Sequence, residues 1–186
     1  MSSFFLDQAT AQRYYVGRPF VYQGRQYTSA GANPTKFAEL GFIEVQIQPR
    51  PDDRFYINNS QCNDDGSWDS TPRDLDDLKV QWVQQQDQEE YSLLAPTDWM
   101  ITRKAETGQD LEPEWSQYRS DVRTVGPVRR SQIEQVTTVP ELEALVTNPA
   151  FVPVDPDDPS KGVKPNPEPH LQPWPDVPDL DSTTRR

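Results

Sequence analysis

Residues 112–126 read EPEWSQYRSDVRTVG, and this stretch decides how the C-terminal half of the chain is built. Trp115, Tyr118, Val122 and Val125 recur at i, i+3, i+7 and i+10, the spacing of one face of an α-helix. Pro113 suits the first turn of that helix, and Gly126-Pro127 predicts its end. Just upstream, APTDWMITRKAETG (95–108) predicts a helix of its own. Pro96 closes the segment before it, Thr97 can cap it, Asp98 sits where the helix dipole favours negative charge, and Gly108 stops it. Farther upstream, Thr71 as cap, Pro72 at the first position and Asp74 predict another helix start. That helix carries Leu75, Leu78 and Trp82 on one face, and QQQDQEE (84–90) forms a polar, solvated waist. Downstream, Ser131 with Glu134 and Thr138 with Glu141 are both capping-box patterns. The second predicts a short helix that turns Leu142, Leu145 and Val146 inward. Residues 72–147 are therefore expected to form a small helical bundle, with Trp82, Trp99, Trp115 and Tyr118 as its largest core side chains.

The N-terminal half has a different period. In PFVYQGRQYT (19–28), Phe20–Tyr22 and residues 26–28 read as two short strands, and Gln23-Gly24-Arg25 turns between them. NPTKFAELG (33–41) predicts one or two helical turns, with Pro34 near the start and Gly41 at the stop. FIEVQIQ (42–48) alternates, with Ile43, Val45 and Ile47 on one face, as a half-buried strand does. DRFYIN (53–58) adds one more strand. The expected fold class is α+β: an N-terminal arm (1–17), a small β-rich α+β module (18–60), a loop or linker (61–71), a helical domain (72–147) and an extended, acidic, Pro-rich tail (148–186). A module of roughly 40 residues buries little surface alone and is expected to lean on a partner or on its own copies.

Composition excludes several function classes. Thirty acidic residues against 18 Lys and Arg give a net charge of −12, unsuited to phosphate neutralisation, so no nucleic acid partner is expected. The cationic cluster at Arg119, Arg123, Arg129 and Arg130 is expected to pair with neighbouring carboxylates. No apolar run reaches the roughly 18 residues of a membrane span, so no membrane association is expected. The start, MSSFFLDQAT, lacks the pattern of a secretory signal, which places synthesis in the cytoplasm. The single His170 and single Cys62 exclude a His-based triad and argue against a zinc site. NDDGSWD (63–69) has calcium-loop oxygens without the full spacing, and reads as a solvated turn. Paired carboxylates fall in loops, on a polar helix face and in the tail, where they do not frame a cleft. The expectation is a protein with no catalytic residues, no metal and no cofactor. Cys62 lies beside Asn63, Asp64 and Asp65, whose charges make it a poor catalyst; as an odd cysteine it can still form an intermolecular disulfide.

From Asn148 onward prolines recur every few positions, yet Phe151, Leu171 and Trp174 are spaced through the segment. A spacer needs no such side chains, so the tail is read as an extended strap whose anchors enter pockets on a partner.

LLAPTDWMITRKAETGQDLEPEWSQYRSDVR (93–123) resembles the motif of small bacteriophage tail assembly chaperone-like proteins. The shared pattern is an apolar lead-in, then Thr97, Asp98, Trp99, Arg103, Gly108, Pro113, Trp115, Tyr118, Arg119 and Arg123. VYQGRQY, ELGFIEV and RPDDRFY resemble modules of tail and tail-fibre proteins. The resemblance spans about residues 20–146 and implies a non-enzymatic protein that binds tail, tail-fibre or baseplate polypeptides in a hetero-oligomer. It is compatible with a chaperone acting in the host cytoplasm during assembly and with a permanent structural subunit of the virion tail, such as an adaptor or cap. It also implies a role for Trp99, Arg103, Trp115, Tyr118, Arg119 and Arg123. Trp and Tyr could fill the bundle core with Arg pairing to carboxylates, or the same residues could form the partner-binding face.

Overall fold

The computed structural model describes residues 3–178. The chain is α+β, with strands concentrated at the N-terminus and helices in the C-terminal half. It divides into two compact units, Met1–Pro72 and Arg73–Arg186.

In the first unit, β1 (Ser3–Asp7) is the central strand of a three-stranded antiparallel sheet, between β2 (Gln12–Tyr14) and β5 (Ile43–Gln46). Phe5 pairs with Tyr14 on one side and with Glu44 on the other. The expected N-terminal arm is thus corrected. Phe4, Phe5 and Tyr14 are buried, and this segment supplies both the middle strand and one edge of the sheet. No alternation marked β1 because both its faces are covered, so Phe4 and Phe5 are apolar in succession. Phe5 lies in an aromatic cluster with Tyr14, Phe37 and Phe42, against which Phe20 and Tyr22 also pack. Tyr14 and Phe42 stack with centroids 4.6 Å apart, and Phe20 stacks on Tyr27 at 4.5 Å.

That cluster needs β3 (Phe20–Tyr22), β4 (Arg25–Tyr27) and α1 (Pro34–Glu39) in place. Gln23 and Gly24 both have positive φ, 48° and 76°, the two-residue hairpin turn whose twist matches its strands. Asn33 caps α1 by accepting the Lys36 amide at 2.9 Å, and Gly41 leaves it at φ 79°. β6 (Tyr56–Asn58) pairs with β7 (Ser70–Pro72). Thr71 and Pro72 therefore end a strand and do not begin a helix.

The loop between β6 and β7 belongs to this unit and is no linker. Its Gly66 carbonyl accepts the Gln48 amide at 2.9 Å, and the Trp68 indole donates to the Gln48 carbonyl at 2.9 Å. Arg13 reaches from β2 over the Phe4 ring, donates to Asp64 at 2.6 Å and lies 3.8 Å from the Cys62 sulfur. Asp64 raises the Arg13 pKa through that hydrogen bond. Cys62 is a free thiol, but a buried one, so a bridge to another chain would require this loop to lift.

The second unit holds α2 (Leu75–Leu94), a 3-10 turn (Ala95–Thr97), α3 (Asp98–Thr107), α4 (Pro113–Gln135) and α5 (Val139–Thr147). Asp74, and not Thr71, caps α2 by accepting the amides of Asp76 and Asp77. Gly126-Pro127 does not end α4, which runs to Gln135 with Val122, Arg129 and Ile133 buried on either side of the pair. A proline inside a helix costs about 3 kcal/mol, a cost that burial on both sides of it offsets. Ser131 is consequently inside a helix and caps nothing. Thr138 does cap α5, and Leu142 and Leu145 are buried as expected. Glu141 returns to the Thr137 amide at 3.0 Å, and that bond lowers its pKa. Thr138→Ala is expected to cost about 1 kcal/mol, seen as a drop of several degrees in melting temperature with helicity otherwise intact.

Candidate partner-binding surface

Three arginines of α4 organise the helical unit. Arg119 is buried and points at the break between α2 and α3. It donates to the Leu94 carbonyl at 3.0 Å, to the Thr97 hydroxyl, and to the Asp98 carboxylate at 2.8 Å. Thr97 turns its own hydroxyl back to the Leu94 carbonyl at 2.7 Å, so it does not cap α3 with its side chain. Arg129 is also buried. It donates to the Gln86 amide oxygen at 2.6 Å and to Glu89 at 3.2 Å, and it lies over the Trp174 ring at 4.7 Å. Burial lowers its pKa and Glu89 opposes that shift; a guanidinium stays charged regardless. Arg130 pairs with Asp87 and Glu90. Burial opposes its charge, but hydrogen bonds to the two carboxylates more than compensate, and its pKa is raised.

These contacts correct in part the reading of residues 84–90 as a solvated waist, of which Gln84, Gln85, Asp87 and Gln88 are exposed. Gln86 is almost wholly buried, and Asp87, Glu89 and Glu90 are the acidic half of the α2–α4 interface. Such a polar interface leaves no apolar stripe for periodicity to detect. The available signal was the complementary charge pattern, Asp87 to Glu90 against Arg129-Arg130.

Trp115, Tyr118 and Val122 form the core above this network, with Leu93, Leu94, Met100 and Trp174 packed around them. Trp115 and Tyr118 meet edge to face at 5.8 Å, and burial raises the Tyr118 pKa. Trp115, Tyr118 and Arg119 are therefore internal and hold the fold together. Trp99 is the opposite case. Expected in the core, it is 55% exposed, and α3 contains no buried residue at all.

The expected strap onto a partner is corrected for two of its three anchors: Leu171 and Trp174 dock within the chain. Tail residues begin with a hairpin, β8 (Phe151–Pro153) against β9 (Val163–Pro165), on which Phe151 is exposed. Residues 166–178 then run back over their own helices. Asn148 donates to the Pro169 carbonyl at 2.9 Å, and the Leu171 amide donates to the Leu145 carbonyl at 3.0 Å, both at the end of α5. Gln132 of α4 donates to the His170 carbonyl at 3.3 Å and accepts the Gln172 amide at 2.9 Å. The Trp174 indole donates to Glu89 of α2 at 3.0 Å. Leu171 is buried. Leu171 and Trp174 are thus correctly read as anchors, and the corrected point is where they anchor. The polar residues that receive them lie on three different helices, so no local pattern announced the site.

Exposed side chains remain on both sides of α3. Trp99 and Arg103, four residues apart, share one face of the helix, and Ile101, on the opposite face, lines a cleft with Lys104, Asp110, Leu111, Pro113 and Arg123. Among the described residues Arg103 and Arg123 have no ion-pair partner; Lys104 pairs with Asp110 at 2.7 Å. Also among the described residues, no His, Cys, Asp and Glu side chains are grouped to hold a metal ion, and no helix is long and apolar enough to cross a membrane. The chain matches no family model, no curated protein and no solved structure.

Proposed function

We infer that this chain is a non-enzymatic bacteriophage tail accessory protein that binds tail or tail-fibre subunits and serves as a tail-fibre assembly chaperone. One observation carries the binding part of this reading: α3 packs none of its residues fully away from solvent, yet carries an exposed Trp99 on the same face as Arg103. Trp and Arg are the side chains that dominate interface energetics. In the cleft on the other side of α3 Lys104 is paired with Asp110, which leaves Arg123, among the described residues, as a cation without an ion-pair partner in a chain of net charge −12. The partner that fits is an apolar fibre segment flanked by carboxylates. The tail-specific part rests on the resemblance of residues 93–123. A tail strapped to a partner would favour a permanent virion subunit, but Leu171 and Trp174 are held within the chain and lend that reading no support.

Trp99→Ala should leave folding within about 0.5 kcal/mol of the parent, as for an exposed site, and should weaken capture of the fibre subunit by about 10-fold or more. A normal capture by the variant would move the interface off α3. Quantitative mass spectrometry then decides the role: the chaperone is absent from mature particles and present on fibres pulled from infected cells. Several copies per particle would make it a structural subunit, and absence from both would reject the tail assignment.

A further inference from the structure

The seat of residues 168–178 adds to one core contact, Trp174 against the Trp115–Tyr118–Val122 cluster, a set of bonds to the tail backbone. Gln132 engages the tail as a neighbouring β-strand would, with one bond to the His170 carbonyl and one from the Gln172 amide. Arg129 takes the backbone carbonyl two residues on, that of Gln172. These contacts read peptide backbone and accept any extended chain. Only two tail side chains are read. Leu171 is buried, and the Trp174 indole is gripped by Glu89 at its N–H and by Arg129 on its face. Prolines flank the indole as Pro173-Trp174-Pro175, which holds the segment extended and lowers the ordering cost of docking. Beyond Trp174 the groove stays open along α2, past Gln85, Gln88 and Ser92.

We propose that this groove, formed by Glu89 of α2 with Arg129 and Gln132 of α4, is a recognition site for extended polypeptide segments carrying a leucine and a proline-flanked tryptophan. The chain's own residues 168–178 occupy it as an intramolecular stand-in. The ligand class is a segment of another protein with that chemistry, which enters when the tail is displaced. The site is separate from the α3 surface, and its test does not depend on the tail-fibre reading.

The probe is a labelled synthetic peptide of residues 168–178, titrated into full-length protein and followed by fluorescence anisotropy. The parent chain should bind it weakly, because its own tail competes at a high effective concentration. Full-length Trp174→Ala, with its tail loosened, should bind it saturably and at least about tenfold more tightly. Adding Gln132→Ala, whose side-chain contacts here are with the tail, should reverse the gain, and the peptide with Trp174→Ala should not bind. A peptide that binds neither chain overturns the proposal and makes the strap a fixed part of the fold. A parent chain that dimerises on concentration, and loses the dimer on Trp174→Ala, overturns it in favour of a second copy's tail. Should Trp174→Ala fail to fold, hydrogen exchange on the parent decides. The Leu171 and Gln172 amides should exchange at least about tenfold faster than the buried amides of α4. Equal protection overturns the proposal.

Discussion

Gly66→Ala is expected to destabilise the N-terminal unit by about 2–4 kcal/mol, a loss of roughly 10–20 °C in its melting temperature. Two effects combine at this position. Gly66 has φ 81°, which costs an L-residue about 1 kcal/mol. A Cβ there would also lie 2.1 Å from the Gln46 carbonyl oxygen and 3.2 Å from a Val45 methyl. The first of those atoms is backbone of β5 and has no rotamer to escape into. The Gly66 carbonyl receives the Gln48 amide, so moving the loop away leaves that bond unmade. Gly24→Ala is the internal control. Its φ is 76°, but no atom lies within 4 Å of the added Cβ, so only the backbone cost of about 1 kcal/mol applies. Equal losses for the two variants would show that the loop does not pack on β5 as described. The measurement is a urea or thermal melt of each variant followed by near-ultraviolet circular dichroism, to which the aromatic cluster contributes.

Arg119→Ala is expected to destabilise the helical unit by about 2–4 kcal/mol. The ion pair with Asp98 supplies little of this, since Asp98 is more than half exposed and screened by water. Most of the effect comes from the buried guanidinium's lost bonds to the Leu94 carbonyl and the Thr97 hydroxyl, which tie α4 to the end of α2, although the Thr97 hydroxyl still serves that carbonyl. Truncation also opens space next to Trp115, Tyr118 and Val122 on the same helix face. Arg119→Lys should recover only part of the loss, because an ammonium cannot serve Leu94, Thr97 and Asp98 with a planar fork. Helicity by far-ultraviolet circular dichroism and the melting midpoint report both variants. A change for Arg119→Ala no larger than that of an ordinary surface substitution, below about 0.5 kcal/mol, would mean the turn over Ala95–Thr97 holds itself. In that case Arg119 would be an interface residue in waiting, as one reading of the resemblance allows. Arg119 and Trp99 share one sequence motif, and the structure gives Arg119 to the core and Trp99 to the surface.

Acidification tests the α5 cap. The Thr137 amide lowers the Glu141 pKa in the folded state, so its contribution is present above the unfolded value and fades as pH falls through the folded one. Thr138→Ala should therefore be measured near neutral pH, where Glu141 is ionised in both states.

The sequence by itself determined the features governed by neighbours along the chain. The Gln23-Gly24 turn, the α1 helix between Asn33 and Gly41, the Thr138 cap and the Trp115–Tyr118–Val122 stripe are each written within a short window. Steric limits on φ, local capping bonds and helical period act at that range. The α+β class followed from them. Tertiary structure alone decided the rest. β1 became the central strand because β2 pairs with one edge and β5, far along the chain, with the other, and both its faces are covered. α4 continued through Gly126-Pro127 because burial of Val122, Arg129 and Ile133 outweighed the local break. Within the polar stretch 84–90 Gln86 went inside, and Glu89 and Glu90 partly so, because Arg129 and Arg130, well downstream on α4, meet them there. The tail turned back to its own helices because Glu89, Arg129 and Gln132 meet in one groove only after α2 and α4 have packed. A sequence window sees what each residue can do locally; which partner it finds depends on distances that exist only in the folded chain.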